Sequence, residues 1–201
     1  MTRRRETLAE GRARRAAVDD PAAVLDAAAR FLEVRPRSTA EVRRRLGQSG
    51  YRADLVEGAI DRLADLGMLD DEAFARAWVE SRDRARPRGE RALRAELRRM
   101  GLAAADVEAA LAARDARAVV ATADGPGPGT AASERGAMRR SEEDAATRLL
   151  DRRGAALRRE ADPRRRRAKA YALLARNGFD PDVAGRAVTA WLGGAFPDPD
   201  A

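Results

Sequence analysis

The chain has no cysteine and no histidine, and among its 201 residues the only lysine is Lys169. Without thiols or imidazoles there is no disulfide framework, no thiol nucleophile and no histidine general base. Serine occurs five times, unaccompanied by a glycine-rich phosphate loop or a nucleophile elbow, so the common catalytic routes are closed. We expect a chain that is not an enzyme and needs no cofactor. No stretch of about 18 apolar residues is present, which excludes a membrane-spanning helix. The basic start Met1-Thr2-Arg3-Arg4-Arg5 lacks the apolar stretch of a signal peptide, so a cytoplasmic chain is expected. Aromatic residues make up 4% of the chain against 44% hydrophobic overall. Much of that apolar content is alanine, which favours close-packed helices over sheets.

What the chain has in quantity is arginine. The net charge is +7, carried by 40 basic residues against 33 acids. Guanidinium groups suit planar, bidentate acceptors, so a polyanion or an acidic protein groove is the natural partner. The charge is unevenly spread: residues 82–99 hold eight arginines and three acids, whereas residues 53–72 hold seven acids and only Arg62.

A segment recurs 51 residues on: Arg35-Pro36-Arg37 becomes Arg86-Pro87-Arg88, Leu46 becomes Leu97, Gly50-Tyr51 becomes Gly101-Leu102 and Ala59-Ile60 becomes Ala110-Leu111. A third copy lies 77 residues further, where Leu97 maps to Leu174, Gly101-Leu102 to Gly178-Phe179 and Ala110-Leu111 to Ala187-Val188. A unit of about 50 residues buries too little apolar surface to stand alone, so neighbouring copies must pack on one another. The fold class expected is all-α, with tandem three-helix repeats forming an elongated, curved array.

The map that follows has a disordered basic arm at residues 1–20, repeat 1 at 21–69 and repeat 2 at 70–115. A Gly/Pro-rich linker insertion occupies 116–140, repeat 3 occupies 141–193, and a flexible tail spans 194–201. In repeat 1, Ser38 or Thr39 caps the second helix and Gly50 stops it. The third helix turns Val56, Ala59, Ile60 and Leu63 inward and Asp54, Glu57, Asp61 and Asp65 outward. In repeat 2 the expected inward stripe of the first helix is Phe74, Ala77, Trp78 and Ser81. Trp78 and Trp191 are read as core anchors rather than stacking platforms.

Asp70, Asp71 and Glu72 form the tightest carboxylate cluster, and a helix start accounts for them better than a metal site, since carboxylates offset the positive end of the helix dipole. The binding candidates are basic. On the second helix of repeat 2, Arg91, Arg94 and Arg98 fall at i, i+3 and i+7, a spacing that aligns guanidiniums along one side. Arg82, Arg86 and Arg88 precede them, Arg43 and Arg44 lie on the second helix of repeat 1, and Arg164 and Arg165 open the second helix of repeat 3.

The chain resembles the RecX family of bacterial recombination regulators. The resemblance rests on Ser38-x-x-Glu41-Val42-x-x-x-Leu46-x-x-x-Gly50-Tyr51, on Leu63-x-x-x-Gly67-x-Leu69-Asp70-Asp71-x-x-Phe74-Ala75-x-x-Trp78-Val79-x-x-Arg82, and on Gly89-x-x-Ala92-Leu93-x-x-Glu96-Leu97-x-x-x-Gly101-Leu102. It implies a monomeric, noncatalytic protein of tandem three-helix units that binds the RecA recombinase filament on single-stranded DNA. The family restrains RecA ATPase and strand exchange, and so tempers DNA repair and the SOS response. Weak direct DNA binding and no membrane partner complete that expectation. The competing reading is a winged-helix-like DNA-binding transcription factor, because Ser38 to Leu69 has a helix-turn-helix cadence. Such a domain needs a β-hairpin next, and Asp70 to Arg84 carries a helical pattern instead.

Overall fold

The computed structural model describes residues 7–120 and 131–193, with the side chains of 118–120 and 131–140 left aside. The described residues form helices and no strand: α1 (Leu8–Ala16), α2 (Pro21–Leu32), α3 (Thr39–Ser49), α4 (Ala53–Asp65), α5 (Asp71–Ala85), α6 (Glu90–Arg99), α7 (Ala104–Val120), α8 (Ala131–Arg158), α9 (Pro163–Arg176) and α10 (Pro181–Trp191). Two compact units divide them, one joining residues up to Phe74 with Arg98–Asp106, the other joining Ala75–Leu97 with the residues from Val107 onward.

In the first unit, α2, α3 and α4 enclose a core of Val24, Ala28, Val42, Leu46, Val56, Ala59, Ile60, Leu63 and Leu69. All four expected inward residues of α4 are in it, and the four carboxylates opposite are exposed. Asp20 caps α2 ahead of Pro21, and Ser38 with Glu41 forms a reciprocal capping box on α3. Gly50 ends α3 in the left-handed conformation at φ 100°. A β-carbon there would also lie 2.9 Å from the Arg12 carbonyl, so the same glycine admits α1.

That helix corrects the disordered arm expected over residues 1–20. The hydroxyl of Thr7 accepts from the Glu10 amide while Glu10 reaches back to the Thr7 amide, a capping box that starts α1 despite its dense arginine content. Residues 1–6 lie outside the described residues. The inward stripe of α5 also differs from expectation: Phe74, Ala75 and Val79 are buried, Trp78 is half-buried, and Ala77 and Ser81 are exposed. Within the segment read as a linker, 116–140, α7 continues to Val120 and α8 begins at Ala131, ten residues before the start expected for repeat 3. Residues 121–130, which hold its Gly/Pro run, and the tail at 194–201 lie outside the described residues.

In the second unit α8, α9 and α10 share a core that includes Ala145, Leu149, Leu150, Leu174, Phe179 and Val188. Asp162 and Asp180 cap α9 and α10, each directly before a proline.

The repeat seen in the sequence is also a repeat of contacts. In the first unit Ser38 donates its hydroxyl to the Met100 carbonyl at 2.7 Å, and the Thr39 amide donates to Asp71 at 2.8 Å. In the second unit the Gly89 amide donates to the Asn177 carbonyl at 3.0 Å and the Glu90 amide to Glu142 at 3.1 Å. Ser38 and Gly89, like Thr39 and Glu90, are 51 apart; Met100 and Asn177 are 77 apart. The stop glycines follow suit, a β-carbon on Gly101 falling 2.4 Å from that of Ala40 and one on Gly178 falling 2.5 Å from that of Ala92.

Candidate functional site

The ten arginines singled out by sequence divide into those the fold has used and those it leaves to solvent. Arg43 clasps Glu57 through two bonds of 2.7 Å, and Arg94 clasps Glu108 through two bonds of 2.9 Å. The two pairs are one pair repeated at the 51-residue offset, each tying the second helix of a repeat to its third. Arg94 also bonds Glu90 one turn earlier at 2.5 Å. The hydrogen bond to Glu108, reinforced by the charges of both glutamates, holds its pKa above the ordinary arginine value. Arg94 is therefore a bracket within the fold, not a free member of the α6 stripe.

Arg82 and Arg88 converge on Glu96. Its carboxylate accepts from Arg82 Nε at 2.7 Å and from the Trp78 indole at 3.0 Å, and Arg88 Nε lies 3.5 Å away. The Arg82 guanidinium also lies 4.3 Å from the Trp78 ring centroid, and Arg88 donates to the Asn177 side chain at 2.7 Å. Trp78, half-buried and outside both core clusters, is held by its bond to Glu96 and by the Arg82 guanidinium on its ring. Trp191 is packed against the α8–α10 core, donating to Asp151 at 3.0 Å.

Among the described residues Arg44, Arg86, Arg91, Arg98 and Arg164 are exposed and make no side-chain ion pair, and Arg165 has only a 3.5 Å contact with Asp162 while 76% of its side chain remains accessible. On α6, Arg91 and Arg98 sit seven residues apart, close to two full turns of a single helix, so both guanidiniums leave on one side. These two form the part of the stripe that can receive a partner's phosphate or carboxylate.

Sequence reasoning missed Glu142, which lies in the acidic run Glu142-Glu143-Asp144 and looks like surface. It is buried, and its Oε1 accepts from the Glu90 amide at 3.1 Å and the Asp180 amide at 3.3 Å, capping the starts of α6 and α10 together. Burial pushes its carboxyl above the ordinary glutamate value of 4.5. Asp115, bonded to Ser141, is raised in the same sense by burial. The folded chain thus keeps the Glu142 proton to higher pH than the unfolded chain does. The stability this confers is complete below the ordinary glutamate value and drains away as pH rises through the raised one. Glu142→Gln, neutral throughout yet still able to accept both amides, should lose this pH dependence and exceed the parent chain in urea-denaturation stability at neutral pH. Glu142→Ala, which strands two amides, should cost about 1–3 kcal/mol at every pH.

Asp70 and Asp71 act as helix-start acceptors: Asp70 accepts from the Ala73 amide at 2.8 Å and Asp71 from Thr39. Among the described residues no group of three or more potential ligands is arranged to hold a metal ion, and no helix is long and apolar enough to cross a membrane.

Comparison with known proteins bears on these residues directly. Residues 25–63 match the RecX first three-helix domain and residues 70–111 the RecX second three-helix domain. Regulatory protein RecX of Mycobacterium sp. (strain KMS) is 45% identical over 87 residues, which cover 43% of this chain and 48% of that one. The RecX of Prosthecochloris aestuarii is 37% identical over 83 residues, 41% of this chain and 55% of that one. The chain spans about half the length of the curated relatives it matches. The crystal structure of RecX from Lactobacillus salivarius superposes with a TM-score of 0.64 at 17% identity, covering 86% of this chain and 97% of that one, and so shares the fold. A second RecX crystal structure gives 0.59 at 19% identity.

Proposed function

We infer that this chain, which belongs to the RecX family, binds the RecA recombinase filament on single-stranded DNA and restrains its ATPase and strand exchange. It acts in the cytoplasm as a monomeric, noncatalytic regulator in DNA repair and the SOS response. The observation that carries this reading is the tandem match of both RecX three-helix domains over residues 25–63 and 70–111. The exposed arginines Arg91 and Arg98 on α6 supply cations for contacts to the filament, with Arg86 ahead of α6 in the same repeat and Arg44 on repeat 1. Arg164 and Arg165, at the start of α9, supply a secondary, weaker hold on nucleic acid. The winged-helix reading loses ground because α5 stands where a β-hairpin wing would have to be.

Co-sedimentation with RecA filaments on single-stranded DNA, run beside the same DNA without RecA, tests the proposal. The chain should pellet with filaments well below the concentration at which it pellets with bare DNA, and should slow ATP turnover. Equal recovery on both, with ATP turnover unaffected, would overturn it.

A further inference from the structure

Beyond that reading, we propose that the groove between α1, the end of α2 and the end of α3 is a docking site for an acidic peptide carrying a large apolar side chain. The groove lies within the first unit and has a volume of about 760 Å³. Four arginines line it, Arg12 and Arg15 from α1, Arg30 from α2 and Arg45 from α3, and among the described residues no carboxylate does. Arg15 is anchored, donating to the Ser49 carbonyl at 2.6 Å. Arg12, Arg30 and Arg45 are exposed and pair with no acid among the described residues, although acids in the same unit hold Arg35, Arg37, Arg43 and Arg52. Arg12 and Arg30, with Arg45 beside the Phe31 ring, set three guanidiniums over one concave surface, and a run of carboxylates matches them.

The apolar part of the lining selects the class of polyanion. Leu8 is 88% exposed and Val34 78%, and together with Ala27 and Leu46 they make an aliphatic surface. Aliphatic walls suit an apolar side chain. A single nucleic-acid strand would want successive aromatic platforms. Phe31 is the obvious one, but guanidiniums already lie 4.3 Å (Arg37) and 5.8 Å (Arg45) from its ring centroid, leaving Tyr51 as the one aromatic in the lining without such a cation. One wall of the site lies outside the matched family domains, because α1 precedes residue 25, whereas the α2 and α3 walls fall within residues 25–63. The α1 wall is built by the Thr7–Glu10 capping box and by the close approach that Gly50 allows.

Fluorescence anisotropy on the full chain, with a labelled synthetic peptide bearing one leucine between runs of glutamate, tests the site. The peptide should bind saturably, and a peptide with lysine for glutamate should not. The variant Arg12→Glu/Arg30→Glu/Arg45→Glu should weaken binding by roughly tenfold or more with helicity unchanged, since no ion pair is broken. Val34→Asn adds no charge, spares every guanidinium and should weaken binding roughly threefold or more by loss of apolar contact. Undiminished binding by either variant would overturn the proposal. So would a labelled oligothymidylate that binds at these arginines while the acidic peptide does not. Arg91 and Arg98 take no part in this assay, so its failure leaves the filament reading standing, and failure of the filament reading leaves this one.

Discussion

Reversing Arg91 and Arg98 together to glutamate should weaken filament binding by roughly 100-fold or more and remove restraint of RecA ATPase. A hydrogen bond to a charged partner is worth about 1.5–3 kcal/mol, and two lost contacts therefore reach that range even at the low end. Stability should stay within about 0.5 kcal/mol of the parent, because both side chains are exposed and bond to nothing among the described residues. Arg94 must be left alone. A glutamate there would face Glu90 and Glu108, which now grip the guanidinium, and a folding defect would pass for a binding defect. Titration at several salt concentrations separates the partners: loss of a phosphate contact flattens the log–log salt slope by about 0.7–0.9 per contact, on bare DNA as well as on filaments. Loss of a carboxylate contact on the recombinase leaves binding to bare DNA nearly unchanged. Full ATPase restraint by the double variant would remove α6 from the binding surface.

The distinction between Arg94 and its neighbours marks where sequence reading stopped. Helical periodicity placed the four inward residues of α4 correctly, and the stop glycines Gly50, Gly101 and Gly178 all adopt positive φ as helix ends require. The i, i+3, i+7 spacing of Arg91, Arg94 and Arg98 described one helix and carried nothing about α7. The partner of Arg94 lies 14 residues on, and the repeat offset that matches Arg43 and Glu57 to Arg94 and Glu108 held the only signal. On α5, alanine and serine fit an inward template as well as Ala75 and Val79 do, so the stripe was placed partly on the wrong side. The capping box Thr7-x-x-Glu10 was readable, but the surrounding arginines argued for a solvated arm. Glu142 gave no sign at all: a carboxylate buried between two helix starts has the same local sequence as one in water.

Gly89→Ala should be strongly destabilising, since the approach to Gly89 is the tightest that a β-carbon would meet at Gly47, Gly50, Gly58, Gly67, Gly89, Gly101, Gly154, Gly178, Gly185 or Gly193. The new β-carbon would lie 2.2 Å from the Gly178 carbonyl oxygen and 2.3 Å from both its carbon and the Phe179 nitrogen. All three are backbone atoms, with no side chain to swing aside, so the turn between α9 and α10 must move. That movement breaks the bond from the Gly89 amide to Asn177 and disturbs the two amides held by Glu142. A loss of about 3 kcal/mol or more is expected, at the upper end for overpacking. Gly58→Ala supplies the control with the opposite sign. It lies inside α4, exposed, with nothing within 4 Å of a β-carbon, so the same methyl should stabilise by about 0.5–1 kcal/mol through helix propensity. Urea denaturation of the two variants should move the midpoint in opposite directions. A Gly89→Ala midpoint equal to the parent's would mean that the α9–α10 turn does not seat on the start of α6, and the contact that recurs at the 51- and 77-residue offsets would then be a feature of the first unit alone.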